Sequence, residues 1–380
     1  MTDAGAAPGT VFEPDRLDDQ AYLAEGDPSG VLRAVASSAA RVRTAYRAAV
    51  EAQVASLGRF GRPRAIVVVG TGGSAVAGDV LDAVIGYGAP LPVVTVRGHR
   101  LPGWVGAADV VMAVSRPGDG EETFAPAAEA ARRGASIMGV GPARSPLEHV
   151  VTRAGGPYVP LEGEAARSGG TLWELAVPLV VAASALGLVE AGEDVFEAAA
   201  VRLEDIAHRC RPSSESFINP GKTLATELAG SVPMIWGSSP LAGAAARWLA
   251  FRLNEIAKYP AIWGEIPESR HQLAAFSGPL AGRDVFADPF ADEPGGEGAK
   301  LRLVLLRDAE EQEQVVRNRT AAVGLAEDRG VPVSEVVAEG VQPLERLASL
   351  IGLGDYAAVY AALGYGIDPE SFSDVTELRA

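Results

Sequence analysis

Gly70-Thr71-Gly72-Gly73-Ser74-Ala75 is a run of residues able to wrap backbone around an anion. Glycines let main-chain N–H groups approach a phosphate, Ser74 adds a hydroxyl, and a helix beginning here adds positive potential. The same residues satisfy the G-x-G-x-x-G/A dinucleotide fingerprint, with Ala75 in the third place. That fingerprint asks for an acidic residue about 20 positions on to hold a ribose. No Asp or Glu stands between Ala83 and Ala108, and the second strand ends at Arg97, so the dinucleotide reading survives only as NADP with Arg97 on the 2′-phosphate. A second glycine-rich loop, Ser115 to Gly120, opens just before another helix and supplies a second set of amides.

These loops need a scaffold that holds them side by side. Arg64 to Gly70 is a short β-branched run ending in glycine, the signature of a buried parallel strand. Val76, Val80, Leu81, Val84 and Ile85 recur at helical spacing across Ser74 to Ile85. Strands follow at Leu91 to Val96, Ala108 to Val114, Ala135 to Val140 and Pro157 to Leu161, with a helix at Glu121 to Arg133 whose leading acids suit its dipole. The order then recurs: strand Val232 to Gly237, helix Leu241 to Lys258, strand Leu301 to Leu306, helix Ala309 to Arg329, strand Val331 to Val337. Alternating strand and helix, repeated once, predicts an α/β chain of two doubly wound parallel-sheet domains packed together as three-layer α/β/α units. The expected division is an N-terminal extension over 1–30, a first domain over 31–190 and a second over 191–380. Helices are expected at Val31 to Leu57, Thr171 to Leu188 and Val195 to Arg209, and a polar surface loop at Arg283 to Lys300.

Composition narrows the partners. The 33 basic and 49 acidic side chains of these 380 residues give a net charge of −16, which argues against a nucleic-acid partner. Cys210 is the only cysteine, so no disulfide framework exists. No two histidines stand at metal-ligand spacing, and neither a metal nor another cofactor is expected. The N-terminus lacks a basic segment followed by an apolar one, and the longest mostly apolar run, Leu175 to Val189, is shorter than the roughly 20 residues of a spanning helix. A cytoplasmic protein without a membrane partner is the expectation. Only Lys222, Lys258 and Lys300 stand against thirty arginines.

The motif Gly72-Gly73-Ser74-Ala-Val-Ala-Gly78-Asp79, followed by Ser115, Gly118 and Glu121-Glu122-Thr123, resembles the paired loops of the sugar isomerase (SIS) fold. Asn219-Pro-Gly-Lys222, Asn254-Glu255-Ile-Ala-Lys258-Tyr-Pro260-Ala261 and Pro267-Glu268-Ser-Arg-His271 are similar to segments of the bifunctional phosphoglucose/phosphomannose isomerases, nearly end to end. The resemblance implies an aldose–ketose isomerase acting on a sugar 6-phosphate, working as a homodimer.

Such a reaction needs a carboxylate base beside the carbon and a cation over the enediolate. By resemblance Glu255 is the base, His271 the ring-opening acid/base reaching in from a neighbouring subunit, and Arg167 the enediolate's cation. Gly72, Gly73, Ser74, Ser115, Arg116, Gly118 and Gly120 would hold the substrate. A helix end near Glu255 is expected to raise its pKa. The alternatives are a helix-end Glu255 paired with Lys258 and a solvated Arg167.

The second loop departs from the family pattern of Ser-Tyr-Ser-Gly-Asn-Thr. Two hydroxyl positions are occupied by Pro117 and Gly120, and Asp119 adds a negative charge that Arg116 would have to offset. Arg379 stands near the position of the family's lysine. Two readings follow, a working phosphosugar isomerase or a weakly active or non-catalytic sugar-phosphate binder on the same fold, with the NADP oxidoreductase a third.

Overall fold

The computed structural model describes residues 11–161, 171–281 and 300–370. Five strands form the first sheet: β1 (Ile66–Val69), β2 (Val93–Val96), β3 (Val110–Val114), β4 (Ser136–Pro142) and β5 (Tyr158–Leu161). They are parallel and ordered β2-β1-β3-β4-β5. Four more, β6 (Ser231–Gly237), β7 (Ile262–Glu265), β8 (Lys300–Arg307) and β9 (Val333–Val337), form a second parallel sheet ordered β7-β6-β8-β9. The second order repeats the first with its last strand missing, so the doubly wound repeat expected from the sequence is present.

The chain divides into two compact units. The first-sheet unit takes its described residues from 37–204 and 340–348, and the second-sheet unit from 1–36, 205–339 and 349–380. In the first, β1 reads Ile-Val-Val-Val, is buried throughout, and shares a core with Val111, Ala127, Ile137, Leu147 and Val151. In the second, Met234, Trp236, Leu303, Leu305, Phe276 and Ala326 play that part. Doubly wound sheets bury both faces of their central strands, which is why these strands are runs rather than alternations.

Some elements differ from expectation. The helix expected over Val31 to Leu57 is three segments, Val31–Ala36, Ser38–Glu51 and a 3-10 turn at Val54–Phe60, because Gln53 adopts φ 55° and ends the second. The C-terminal helix Pro343–Gly364 is long and apolar enough to cross a membrane, but 94% of its apolar window is buried inside the fold. The expected loop at Arg283 to Lys300 lies, but for Lys300, outside the described residues. The N-terminal segment is tied into the second-sheet unit: Glu13 N donates to Gly364 O at 2.9 Å, and Tyr22 Oη to Leu363 O at 3.0 Å.

Candidate active site

In an open α/β sheet the ligand crevice opens where the strand order reverses, at the carboxyl ends of the strands. In the first sheet that point lies between β1 and β3, paired in register from Ile66↔Val110 to Val69↔Ala113. The two loops read from sequence, Gly70–Gly73 and Ser115–Gly120, leave those strands and stand together. A Cβ on Gly70 would lie 3.0 Å from Val114 O, so glycine permits the approach. The helix Gly72–Ile85 starts directly at the first loop, with Gly72 at φ 53°. Its first N–H groups have no intrahelical acceptor, and the half-buried Ser74 hydroxyl has no protein partner among the described residues.

The second loop is built from inside. Ser115 is buried, and its hydroxyl accepts from Gly118 N at 3.0 Å. Gly118 takes φ 74°, and a Cβ there would lie 2.8 Å from both Pro142 Cδ and Ser145 Cβ. Ser115 and Gly118 thus shape the loop, while Arg116 and Gly120 remain half-exposed. Arg116 Nη1 lies 3.5 Å from Glu174 Oε2, and Arg41 Nη1 donates to Glu174 Oε1 at 3.0 Å. The loop's guanidinium therefore already faces a carboxylate. Glu122 adds another negative charge, accepting from Thr71 Oγ1 at 3.1 Å. Arg97, the residue on which an NADP reading depends, is engaged by Asp79.

The second sheet has the equivalent reversal between β6 and β8, and there the protein supplies its own anions. Ser239 caps the helix Pro240–Ile256, accepting from Ala242 N at 3.1 Å while donating to Asp308 Oδ2 at 2.8 Å. Ser238 Oγ accepts from Asp308 N at 2.9 Å. Burial would raise the Glu311 carboxyl, but bonds from Arg319 and Ser238 and the nearby guanidinium groups hold it below the usual carboxylate range. A helix start that is capped and faced by carboxylates has no positive potential to spare for a substrate.

Glu255 lies on the last turn of that capped helix, its side chain 22% exposed. Arg252 Nη1 donates to Glu255 Oε2 at 2.7 Å. Lys258, the partner considered from sequence, instead donates to the Glu255 main-chain oxygen at 2.6 Å. Glu255 Oε1 receives no hydrogen bond among the described residues. Burial pushes the Glu255 carboxyl up, and the Arg252 and Lys258 charges only partly offset it. Burial, more than the helix end expected from sequence, is the cause.

Behind Glu255 lies a group that sequence reasoning did not find. Arg252 Nε donates to Asp355 Oδ1 at 3.0 Å, and Trp248 Nε1 donates to the same oxygen at 2.8 Å. The i,i+3 spacing of Arg252 and Glu255 was a readable signal; Asp355, 103 residues beyond Arg252, had none. His271 lies exposed on the 3-10 segment Glu268–Ser277, and its Nδ1–H donates to Glu268 O at 2.8 Å. That bond selects the tautomer with a free Nε2 lone pair. Within one chain His271 and Glu255 share no hydrogen bond or ion pair. Arg167 and Arg379 lie outside the described residues. Among the described residues no His, Cys, Asp and Glu group could hold a metal ion.

A family model for the bacterial phospho-glucose isomerase C-terminal SIS domain matches residues 217–380. The bifunctional phosphoglucose/phosphomannose isomerase of Caldicellulosiruptor bescii is 25% identical over 315 residues, covering 83% of this chain and 88% of the relative. The enzyme of the same description from Aquifex aeolicus is 25% identical over 319 residues, covering 83% and 89%. The fold is similar to that of tagatose-6-phosphate ketose/aldose isomerase from Escherichia coli, with TM-score 0.63, 13% identity and coverage of 93% and 95%. It is also similar to the C-terminal domain of glucosamine-fructose-6-phosphate aminotransferase from Francisella tularensis, with TM-score 0.59, 14% identity and coverage of 90% and 97%.

Proposed function

We propose that this chain, a distant member of the bifunctional phosphoglucose/phosphomannose isomerase family, interconverts glucose 6-phosphate or mannose 6-phosphate with fructose 6-phosphate. The observation that carries this reading is the state of Glu255: one carboxylate oxygen held by a buried arginine, the other unbonded, and a pKa raised by burial. A base that must take a carbon-bound proton benefits from a carboxylate less comfortable with its charge than one in water.

Once the ring is open, Glu255 Oε1 takes the proton from C2 of the aldose, and the electron pair moves into an enediolate across C1 and C2. The hydroxyl proton passes from O2 to O1, and returning the carbon-bound proton to C1 then yields the ketose. The two aldoses differ only in configuration at C2, so both lead to the same enediolate. His271 Nε2, left free by the Nδ1–H bond to Glu268 O, suits the ring-opening step by exchanging a proton with the anomeric hydroxyl and the ring oxygen. The resemblance assigns Arg167 to the enediolate's negative charge. The first-sheet loops, with Gly72, Gly73, Ser74, Ser115, Arg116, Gly118 and Gly120, are the proposed phosphate cradle. A cytoplasmic homodimer completes the reading, and light scattering on the purified protein tests the dimer.

One observation favours a second reading, a weakly active or non-catalytic sugar-phosphate binder. Glu122 stands on Thr71 at the mouth of the first loop, next to a second loop that has lost two hydroxyl positions to Pro117 and Gly120. A coupled assay running fructose 6-phosphate against both aldose phosphates decides between them. Turnover that disappears in Glu255→Gln supports the isomerase; no turnover by the wild type, or full turnover by the variant, overturns it. A thermal shift with NADPH and none with sugar phosphates would overturn both in favour of the dinucleotide.

A further inference from the structure

We propose that Asp355, acting through Arg252, is the positioning residue that leaves one oxygen of Glu255 free to take the substrate's proton. The inference rests on the reading of Glu255 as the base and adds the group that prepares it. An arginine three residues before a glutamate on a helix ordinarily makes an optional surface pair. Here the arginine has no such freedom, since its side chain is 2% exposed and that of Asp355 is 1% exposed.

A guanidinium is a planar fork, and an arginine free to move turns two N–H groups onto one carboxylate. Asp355 Oδ1 takes Arg252 Nε at 3.0 Å and holds the guanidinium in one orientation, with Nη2 buried and unbonded among the described residues. Only Nη1 reaches Glu255, and it reaches one oxygen, Oε2, at 2.7 Å. Trp248 fixes the other side of the arrangement: its Nε1 donates to the same Asp355 oxygen at 2.8 Å, and its ring centroid lies 5.5 Å from Arg252 Cζ. With Asp355 absent as an acceptor, Arg252 is free to rotate and grip both oxygens of Glu255, which would occupy the base.

Charge points the same way. The groups that face Glu255 are Arg252 from its own helix, Lys258 just beyond it, and Asp355 from the helix Pro343–Gly364. The two cations lower the carboxyl and Asp355 raises it, so Asp355 shares the guanidinium's charge and keeps Glu255 basic. A guanidinium this buried needs that counter-charge in any case.

The test is the pH profile of kcat in Asp355→Asn, which keeps the shape and an acceptor oxygen but removes the charge. The acidic limb should move to lower pH by about one pH unit. kcat should fall severalfold with KM little changed, because Glu255 becomes the weaker base while Arg252 keeps an acceptor and neither residue touches substrate. The double variant Arg252→Leu/Asp355→Leu removes both buried charges together, an exchange that folded proteins often accept. Its acidic limb should move to higher pH, because burial of Glu255 is then opposed only by Lys258. Opposite displacements are the signature, and a residue that merely holds two helices together would not produce them. If the single variant does not fold, the double variant alone decides. A working wild type whose limb and kcat stay put in the variants overturns the role of Asp355 while leaving Glu255 as the base. An inactive wild type, or an active Glu255→Gln, overturns the base assignment and this inference with it.

Discussion

Thr71 Oγ1 donates to Glu122 Oε1 at 3.1 Å, so a carboxylate from the helix after β3 lies at the mouth of the loop after β1. A phosphate dianion entering that loop would meet this charge. Two unit charges about 4 Å apart in a water-like medium interact by about 1 kcal/mol. Glu122→Gln keeps the acceptor for Thr71 and removes the charge. It should lower KM for a sugar 6-phosphate severalfold with kcat little altered, and the gain should shrink at high salt. Steady-state kinetics at two ionic strengths check both statements.

The two sheets give two serines at equivalent helix starts, and they should behave differently. Ser74 has no protein partner among the described residues, whereas Ser239 is tied to Ala242 N and Asp308. Ser74→Ala should therefore raise KM severalfold and leave thermal stability nearly unchanged. Ser239→Ala should cost about 1 kcal/mol of stability as a lost N-cap and leave KM unchanged. Thermal melting and KM measured on the same two preparations separate the outcomes.

Gly118→Ala should damage the second loop, because φ 74° is left-handed and the new Cβ would press on Pro142 Cδ and Ser145 Cβ, both 2.8 Å away. A cost of about 1–3 kcal/mol follows from such strain, with weaker phosphosugar binding. Gly98→Ala, where a Cβ would meet nothing within 4 Å, is the matching control and should be silent in both assays.

How far these features could be read in advance depended on whether their cause was local. Ile66–Val69 and Val110–Val114 were legible as buried strands because β-branched runs between glycine-rich turns have few other uses. Ile262–Glu265 was not, since this edge strand exposes Ile262 and Trp263 and has no apolar alternation. The helix Pro343–Gly364 contains Gly352 and Gly354, which local propensity disfavours. Buried packing overrides that preference. Glu255 and the loops could be named from motifs, yet the cause of the raised Glu255 pKa lay in burial beside Arg252 and Asp355, and no spacing along the chain reports a contact 103 residues away.

The scarcity of lysine turns out to include one with a structural task. Lys222 is fully buried, and its Nζ donates to Asp18 Oδ1 at 3.1 Å, Pro212 O at 3.0 Å and Ser214 O at 2.7 Å. All three ammonium protons are used, and they fasten the segment before Asn219 to the N-terminal segment. Lys222→Met should cost roughly 3 kcal/mol, because buried carbonyl oxygens lose their donor. Lys300→Met, at an exposed position, should stay within about 0.5 kcal/mol. Denaturant melts of the two variants test the contrast.

Glu255 should leave its mark on both activity and stability as pH changes, in opposite senses. The base works only when ionised, and burial holds its pKa above the ordinary glutamate value, so the acidic limb of kcat should fall at higher pH than a solvent-exposed glutamate would give. For stability, a group whose folded pKa is raised stabilises the protein fully below its unfolded value, and that contribution is lost as pH rises through the folded value. Glu255→Gln removes this dependence. The melting temperature of the variant minus that of the wild type should therefore grow more positive from acid to neutral pH, even as turnover in the variant disappears. Melting curves at a pH below the ordinary glutamate range and at neutral pH, set beside the kcat profile of the wild type, check the two senses together. A difference that stayed flat across that interval would mean that Glu255 is not held in the buried, charge-averse state on which its role as base depends.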